Sequence, residues 1–506
     1  MKKIFISFVL MGLLSCDAFS QSISQQTTPG RKTIALPGGK APASPPGPVL
    51  PNWESIRSNY QIPDWYKDGK FGIFLHWGLY SVAAHGSEWY PKRMYSSAEM
   101  IKWHTEKFGA PDKFGYKDFI PLLTAAKYNP DDWADLFVKA GAKYIVPTAE
   151  HHDGFAMYDS KLTKWDAKDM GPKRDLIGDL AVAVRKRGLK FGVSNHRMEN
   201  WDFLYSTLVK SDLFDPKYAD FYGPPQLPAS RAQGHTAGDV LADQTSAPQS
   251  KAFLEEWLAR CEELVDNYKP DMFWFDNGVN SRNLDSVKLR FASYYYNSAA
   301  KWGKQVTIST KSDAFLAGSL KDYERQWNAP FVKTQELWQV DDPIGDKFGY
   351  VENMGLLTAE TIIHRLVANV SRNGNYLLNI SPKADGTIPD DQRKVLLDIG
   401  DWFKMNGEAI YGTRAYRRDS DGAVFFTTKA GSLYAISLQW PEEKVLVLPS
   451  LPQNIGRVSS VSLLGYSGEI IYKQNDQGLF ITLPQIRPGK YAYSFKIEGL
   501  NAGIGN

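Results

Sequence analysis

The chain has 506 residues, 43% of them hydrophobic and 13% aromatic, so it is long enough for two or three domains with a large core. Its formal net charge of +3 gives no reason to expect nucleic acid or an anionic surface as a partner. After the N-terminus, no stretch approaches the roughly 20 consecutive apolar residues that a membrane-spanning helix needs.

The N-terminus has the features of an export signal. Residues 1–20 combine a basic start, an apolar stretch and small residues, which predicts a signal peptide. Cleavage after this segment is favoured, but the sequence around Cys16 also resembles a lipoprotein box. We therefore expect an exported protein, in the periplasm or at the cell surface. Signal removal leaves Cys261 without an intrachain disulfide partner, and a cysteine-based metal site is excluded. Residues 21–52, rich in Pro, Gly and Ser, are predicted to be a linker.

Residues 53–408 repeat one unit, an amphipathic helix followed by a short turn and an apolar strand. Asn129-Pro130 is a typical helix start, and the helix that follows leads into the strand KYIVPTA. Two further helices are predicted at 174–186 and 253–268. The predicted strands are 71–78, 143–149, 190–195, 272–278, 305–310 and 375–381.

These strands lack polar alternation, which indicates that both faces are covered, as in a parallel sheet wrapped by helices. The alternation of helix and strand predicts an α/β fold, a (β/α)-barrel of the TIM type, as the catalytic domain. A doubly wound open sheet is the alternative, although no phosphate-binding Gly-rich loop follows a strand. Residues 409–506 consist of short β-rich runs with turn signals and predict a C-terminal antiparallel β-sandwich. The polar tract 224–249 is expected to lie over one face of the barrel.

Chemically versatile side chains follow four of the predicted strands. Because active sites of such barrels lie at the carboxyl ends of the strands, we expect these side chains to converge. Each one also has a structural interpretation, as a turn, a cap or a core residue. The residues are His76, Glu150, His151, His152, Asp153, Ser194, Asn195, His196, Glu199, Trp274, Asp276 and Asn277.

Asp276 is the most informative of these residues, because a carboxylate follows the aromatic strand MFWF. Hydrolysis of a glycosidic bond needs two carboxyl groups. It also needs neutral hydrogen-bonding groups aimed at the hydroxyls of the sugar ring, and His and Trp suit that task.

Several long stretches then match a known family in order along the chain. They include KFGIFLHWGLYSV, GSEWYPKRMY, AGAKYIVPTAEHHDGFAMYDSKLTKWDA, KPDMFWFDNG and NVSRNGNYLLNISPKADGTIP. The chain resembles the family 29 α-L-fucosidases over roughly residues 66–416, and more loosely through the C-terminal region. The resemblance implies a barrel with a C-terminal β-sandwich and no metal or other cofactor. It also implies retaining hydrolysis of terminal α-L-fucose from a fucosylated glycan by double displacement.

The resemblance also implies roles for individual residues. Asp276 matches the nucleophile, and Trp274 matches an aromatic residue lining the sugar subsite. Many relatives carry Tyr at the position of Ser194, so His196 or Asn195 is expected to supply the missing polar contact. The remaining residues expected to bind fucose are His76, Glu88, Trp89, His151 and His152.

The general acid/base is harder to assign. One branch of the family carries it as the Glu of a Trp-Glu pair, which here falls on Trp338-Gln339, and Gln cannot donate a proton as an acid does. The other branch resembles DYER, which indicates Glu324. Glu336 is the reserve candidate. The DYER branch tends to act on α-1,3/1,4-fucosyl linkages, which we therefore expect here.

Two other functions remain open from the sequence. His and Asp at barrel strand ends also bind Zn²⁺, which would suit a metal-dependent hydrolase. Gln339, at the position of an acid in one branch, would suit a fucose-binding protein that has lost catalysis. We predict an α-L-fucosidase without a metal.

Overall fold

The computed structural model describes residues 45–204, 208–223, 249–311, 313–327 and 336–500. Among these residues, eight parallel strands form a closed barrel in which each strand pairs with the next and β8 pairs with β1. The strands are β1 (Phe71–Leu75), β2 (Tyr144–Glu150), β3 (Lys190–Asn195), β4 (Met272–Phe275), β5 (Thr307–Lys311), β6 (Ser319–Asp322), β7 (Trp338–Pro343) and β8 (Gly374–Ile380).

Side-chain caps begin several of the helices that surround the barrel, and one of these caps, Asn129, was predicted from the sequence. The side chain of Asn129 accepts from the backbone of the first turn of one helix, and Asp175 and Ser250 do so for two others. The helices are α1 (Trp53–Asn59), α2 (Asp64–Gly69), α3 (Tyr80–Ala83), α4 (Tyr90–Ser96), α5 (Ala98–Phe108), α6 (Pro130–Lys139), α7 (Leu176–Lys186), α8 (Asn200–Phe203), α9 (Ala219–Tyr222), α10 (Lys251–Tyr268), α11 (Asp285–Lys301), α12 (Ala359–Ser371) and α13 (Asp390–Asn406).

Closure of the sheet confirms the barrel and excludes the open doubly wound alternative. Two barrel strands, β6 and β7, were not among the predicted strands. Polar side chains take inward-facing positions in both strands, and the Gln339 amide donates to Asp322 Oδ2 at 2.6 Å. Because these groups satisfy one another inside the barrel, neither strand has the apolar run by which the other strands were recognised.

Large side chains fill the barrel interior below the strand ends. Gly72 makes room for one of them, since a Cβ there would lie 2.5 Å from the ring of Tyr144. The interior cluster consists of Tyr66, Phe74, Tyr144, Val146, Met272, Trp274, Leu320 and Leu377. This plug leaves the carboxyl ends of the strands as the place where a pocket can open.

The C-terminal region consists of two antiparallel sheets, as predicted. Their order is β13-β16-β11-β10-β9 and β12-β15-β14, and their facing sides share one apolar core. The first sheet packs on the barrel helices, where the Trp402 indole donates to the carbonyl of Ala492 at 2.9 Å. The strands are β9 (Arg414–Asp421), β10 (Val424–Lys429), β11 (Ser432–Ser437), β12 (Val445–Leu448), β13 (Ser460–Leu463), β14 (Tyr472–Asn475), β15 (Gly478–Thr482) and β16 (Tyr493–Glu498).

Three sequence predictions concern parts of the chain outside the described residues. The signal peptide at 1–20 lies there, as do most of the linker at 21–52 and nearly all of the polar tract 224–249. In the described part of the chain, none of the helices is both long and apolar enough to span a bilayer.

Candidate active site

A cavity of about 660 Å³ opens at the carboxyl ends of the barrel strands. Eight of the predicted site residues line it, Glu324 among them, together with Asn277 and several residues that the sequence did not single out. The lining residues are His76, Ser87, Glu88, Trp89, Arg93, His151, His152, Trp274, Asp276, Asn277, Lys311, Glu324, Arg325, Asp341, Asp346, Lys347 and Phe348. The strand ends therefore converge on one pocket, as expected.

Asp276 directly follows β4 and is nearly buried in the wall of this pocket. Its Oδ2 accepts from His196 Nδ1 at 2.8 Å and lies 3.3 Å from His152 Nε2. Its Oδ1 lies 2.6 Å from the ammonium nitrogen of Lys311. Burial alone would raise the pKa of Asp276, but attraction to Lys311 and His196 outweighs this and holds the pKa well below its usual value. Asp276 is thus an ionised carboxylate with one oxygen held by imidazoles and the other paired with the Lys311 ammonium.

The imidazoles of His76, His151 and His152 form a buried wall beside Asp276. His76 Nδ1 lies 2.7 Å from Asn379 Oδ1 on β8, which fixes its ring orientation. Burial lowers the pKa of His76, and it lowers that of His151 well below its usual value. Nδ1 of His151 is buried and has no hydrogen-bond partner among the described residues. Within the wall, His76 and His151 therefore present neutral rings with hydrogen-bonding capacity left for a ligand.

Glu88 and Trp89 come from the segment between α3 and α4. Glu88 Oε2 accepts from the backbone N–H groups of Phe348 and Gly349 at 3.2 and 3.0 Å, so it holds the loop after β7 against the pocket. The half-buried ring of Trp89 packs 5.5 Å from that of His152, measured between centroids. The sequence predicted both residues for the site, and both line it.

His196 lies behind the pocket wall and is not among the residues that line it. Its Nδ1 donates to Asp276, and its Nε2 lies 2.9 Å from the hydroxyl of Ser194. Burial lowers the pKa of His196 to about 3, so the ring is neutral. The structure thus supports a role in positioning Asp276, whereas the sequence suggested direct contact with the sugar.

Trp274 lines the pocket from inside the barrel, and a polar chain fixes its orientation. Its indole N–H donates to Asp322 Oδ2 at 2.8 Å, and the same oxygen accepts from Gln339. Tyr144 donates to the amide oxygen of Gln339 at 2.9 Å. Gln339 is fully buried below the pocket and does not line it. An amide suits this place, because it donates on one side and accepts on the other.

Glu324 stands on the turn after β6 and faces Asp276 across the pocket. Its Oε2 lies 2.5 Å from Lys311 Nζ, the atom that also contacts Asp276 Oδ1 at 2.6 Å. These two oxygens are therefore at most about 5 Å apart, which is the carboxyl spacing of retaining glycosidases. Glu336, the reserve candidate, is an exposed residue outside the pocket lining. The geometry favours Glu324.

Within the described ranges, two groups of three side chains lie close enough to hold a cation: His76, His151 and His196, and His152, His196 and Asp276. His196 belongs to both groups, and both of its ring nitrogens already have partners, Asp276 and Ser194. An ion would have to displace one of these hydrogen bonds. The donor set therefore fits a hydrogen-bonded support for Asp276 better than a metal centre.

Lys311 and Asp341 are the functional candidates that sequence reasoning missed. Lys311 is the last residue of β5, one position beyond the predicted strand 305–310, so extending that strand by one residue would have found it. Asp341 lies on β7, whose polar sequence gave no strand signal. Burial and the charge of Asp322 raise the pKa of Asp341 well above its usual value, which favours the protonated form of this carboxyl.

A parallel barrel with two carboxyl groups at most about 5 Å apart, in a pocket of His and Trp side chains, is typical of a glycoside hydrolase site. A profile of the family described as alpha-L-fucosidase matches residues 40–408, and the profile of the alpha-L-fucosidase C-terminal domain matches residues 419–498. The chain belongs to the α-L-fucosidase family.

Relatives and solved structures agree with this assignment. The tissue alpha-L-fucosidase of Rattus norvegicus is 33% identical over 92% of this chain and 95% of its own length. The plasma alpha-L-fucosidase of Homo sapiens is 34% identical over 86% of this chain and 88% of its own. The crystal structure of Thermotoga maritima alpha-fucosidase in complex with fucose superposes with a TM-score of 0.73, at 29% identity, over 89% of this chain and 100% of that one.

Proposed function

We propose that this chain is a retaining exo-α-L-fucosidase in which Asp276 is the nucleophile and Glu324 the general acid/base. The observation that carries the assignment is the separation of at most about 5 Å between Asp276 Oδ1 and Glu324 Oε2. An inverting enzyme needs a wider gap, because a water molecule must stand between the carboxylate and the sugar.

The reaction proceeds in two displacements. Asp276 Oδ1 attacks the anomeric carbon of fucose while the glycosidic C–O bond breaks and the proton of Glu324 passes to the departing oxygen. The fucosyl ester on Asp276 is then attacked by water, whose proton returns to Glu324 as the ester bond breaks. The hydrogen bond from His196 and the contact with His152 hold the other oxygen of Asp276, which fixes the direction of attack.

The remaining pocket residues suit fucose. Neutral imidazoles of His76 and His151 donate to or accept from ring hydroxyls without a competing charge. The apolar face of Trp274 matches the C5 methyl group, and such a contact discriminates between sugars by about 1–3 kcal/mol. The side chains packed below Trp274 close the floor of the pocket, which supports action on a terminal sugar.

Replacement of each carboxyl tests the assignment. Asp276→Gly should abolish release of p-nitrophenol from p-nitrophenyl α-L-fucoside, and azide should restore turnover with β-L-fucosyl azide as the product. Glu324→Gln should slow a substrate with a poor leaving group by about 10²–10⁴-fold. The matched control is Glu336→Gln, which should keep wild-type rates. Near-normal activity of Asp276→Gly without azide would refute the nucleophile.

We further propose that the substrates are fucosylated oligosaccharides or glycoconjugates, with a preference for α-1,3/1,4 linkages. The DYER and SEWYPKRMY motifs support that preference, and a product screen on glycans of defined linkage tests it. The N-terminal sequence supports export to the periplasm or cell surface. Substitution of Cys16, followed by fractionation of membranes, would separate a lipid-anchored form from a soluble one.

A further inference from the structure

The ammonium group of Lys311 occupies the space in which the reaction must take place. Its nitrogen lies within 2.6 Å of Asp276 and 2.5 Å of Glu324 and so fills the gap between them. The anomeric carbon and the glycosidic oxygen of a bound substrate must lie in the same gap. A productive complex therefore requires Lys311 to leave this position.

A displaced ammonium needs a new counterion, because an unpaired charge inside a protein is costly. Asp341 lines the same cavity, and its Oδ1 is buried without a hydrogen-bond partner among the described residues. Lys311 on β5 and Asp341 on β7 lie on the two strands that flank β6. Lys311 is opposite Asp322 of β6 in the strand register, and Asp322 Oδ1 accepts from the backbone N–H of Asp341 at 3.0 Å.

The charged groups around Lys311 and Asp341 also favour their pairing. Burial lowers the pKa of Lys311, but attraction by Asp276, Glu324 and Asp341 outweighs it and raises the pKa well above its usual value. The charged groups acting on Asp341 are Asp322 on β6, Lys311 on β5 and Glu324 on the turn after β6. The first and last raise the pKa of Asp341, while Lys311 lowers it. Arrival of the ammonium would therefore favour the ionised form of Asp341.

We propose that an incoming substrate moves the Lys311 ammonium out of the gap between the two catalytic carboxylates and onto Asp341. In exchange, one proton passes from Asp341 to Glu324. Before the exchange Glu324 is a carboxylate paired with Lys311; afterwards it is the neutral acid that the first displacement needs. The total charge of the four groups does not change, so no proton is taken from solvent. This inference rests on the proposed function.

Calorimetry of L-fucose binding near pH 7, in buffers of different ionisation enthalpy, counts protons independently of turnover. The wild-type chain should bind L-fucose with no net proton uptake. Asp341→Asn has no proton to give, so its complex should take up about one proton from solvent. Proton uptake by the wild-type chain, or none by Asp341→Asn, would overturn the exchange alone. A wild-type chain that does not bind L-fucose at all would overturn the proposed function and the exchange with it.

A double-mutant cycle separates this role from a merely structural one. With a fucosylated oligosaccharide as substrate, the kcat/KM of Asp341→Asn should fall about 10²-fold, because Glu324 no longer receives the proton that makes it a general acid. In a Lys311→Met background there is no ammonium to receive, so adding Asp341→Asn should cause no further loss. A loss of the same size in both backgrounds would show that Asp341 only supports the fold, and would overturn the proposal.

Discussion

Replacing Lys70 with Met should stabilise the protein, with an effect that disappears at alkaline pH. Lys70 immediately precedes β1, is fully buried, and its ammonium finds no hydrogen-bond partner in the described part of the chain. Burial, assisted by the charge of Arg414, lowers its pKa from 10.5 to about 7. At 1.36 kcal/mol per pKa unit, the charged form costs about 5 kcal/mol of folding free energy. Met has a similar unbranched shape without the charge, so most of this cost should be regained.

The sign of the pH dependence follows from proton linkage. Between about pH 7 and 10.5 the unfolded chain holds a proton on Lys70 that the folded chain has lost, so wild-type stability rises with pH over this range. Urea unfolding should show the Lys70→Met variant several kcal/mol more stable at pH 6, and equal to wild type near pH 10.5. Lys186→Met, at an exposed position of α7, should change little at any pH. A gain that does not vary with pH, or a loss at pH 6, would refute the reasoning.

Two further predictions concern the pocket. Glu88→Ala removes the acceptor for the N–H groups of Phe348 and Gly349. At about 1.5–3 kcal/mol per hydrogen bond to a charged group, kcat/KM should fall at least tenfold. Glu88→Gln keeps an acceptor, so its kcat/KM should fall less. Equal losses in the two variants would contradict this role. Dialysis against a chelator should leave the hydrolysis of p-nitrophenyl α-L-fucoside unchanged, because both ring nitrogens of His196 are already hydrogen-bonded. A loss of activity that added Zn²⁺ restores would contradict this prediction.

The barrel strands that consist of apolar residues could be predicted from the sequence. The strands whose buried polar groups hydrogen-bond to one another could not. The strand before Asp276 reads MFWF, all four residues are buried, and its apolar run identified it at once. In β7, Gln339 and Asp341 are just as buried, but their surroundings exist only after β5, β6 and β7 come together. A sequence does not show which distant acceptor will stabilise a buried amide, so the strand was missed.

The same reason explains which part of the site was found. His76, His151, His152 and Asp276 follow strands that were recognised, and their meeting at one rim follows from the parallel barrel. Lys311 was missed because a lysine at a strand end is usually exposed to solvent. Its placement between two carboxylates depends on β4, β5 and the turn after β6 together. Local sequence predicts which strand end a side chain occupies, but a contact between three elements needs coordinates.

The four imidazoles differ in the direction of their pKa shifts, and this difference leads to a prediction for the pH dependence of the site. Burial lowers the pKa values of His76, His151 and His196, so these rings remain neutral across the neutral range. Burial also acts on His152, but attraction by Glu199 and Asp276 outweighs it and raises the pKa of His152 above 6.5. His152 is thus the imidazole that carries a proton and that loses it as the pH rises.

A protonated His152 stabilises the carboxylate of Asp276 in the free enzyme. This attraction weakens once the fucosyl ester forms, because Asp276 then carries no charge. Glu199 Oε2 lies 3.5 Å from His152 Nδ1, so Glu199→Gln should lower the pKa of His152 and move the alkaline limb of kcat/KM to lower pH. Glu99→Gln, an exposed position on α5, should leave the profile unchanged. A profile of Glu199→Gln that coincides with wild type would show that the alkaline limb belongs to another group, with Glu324 the next to be tested.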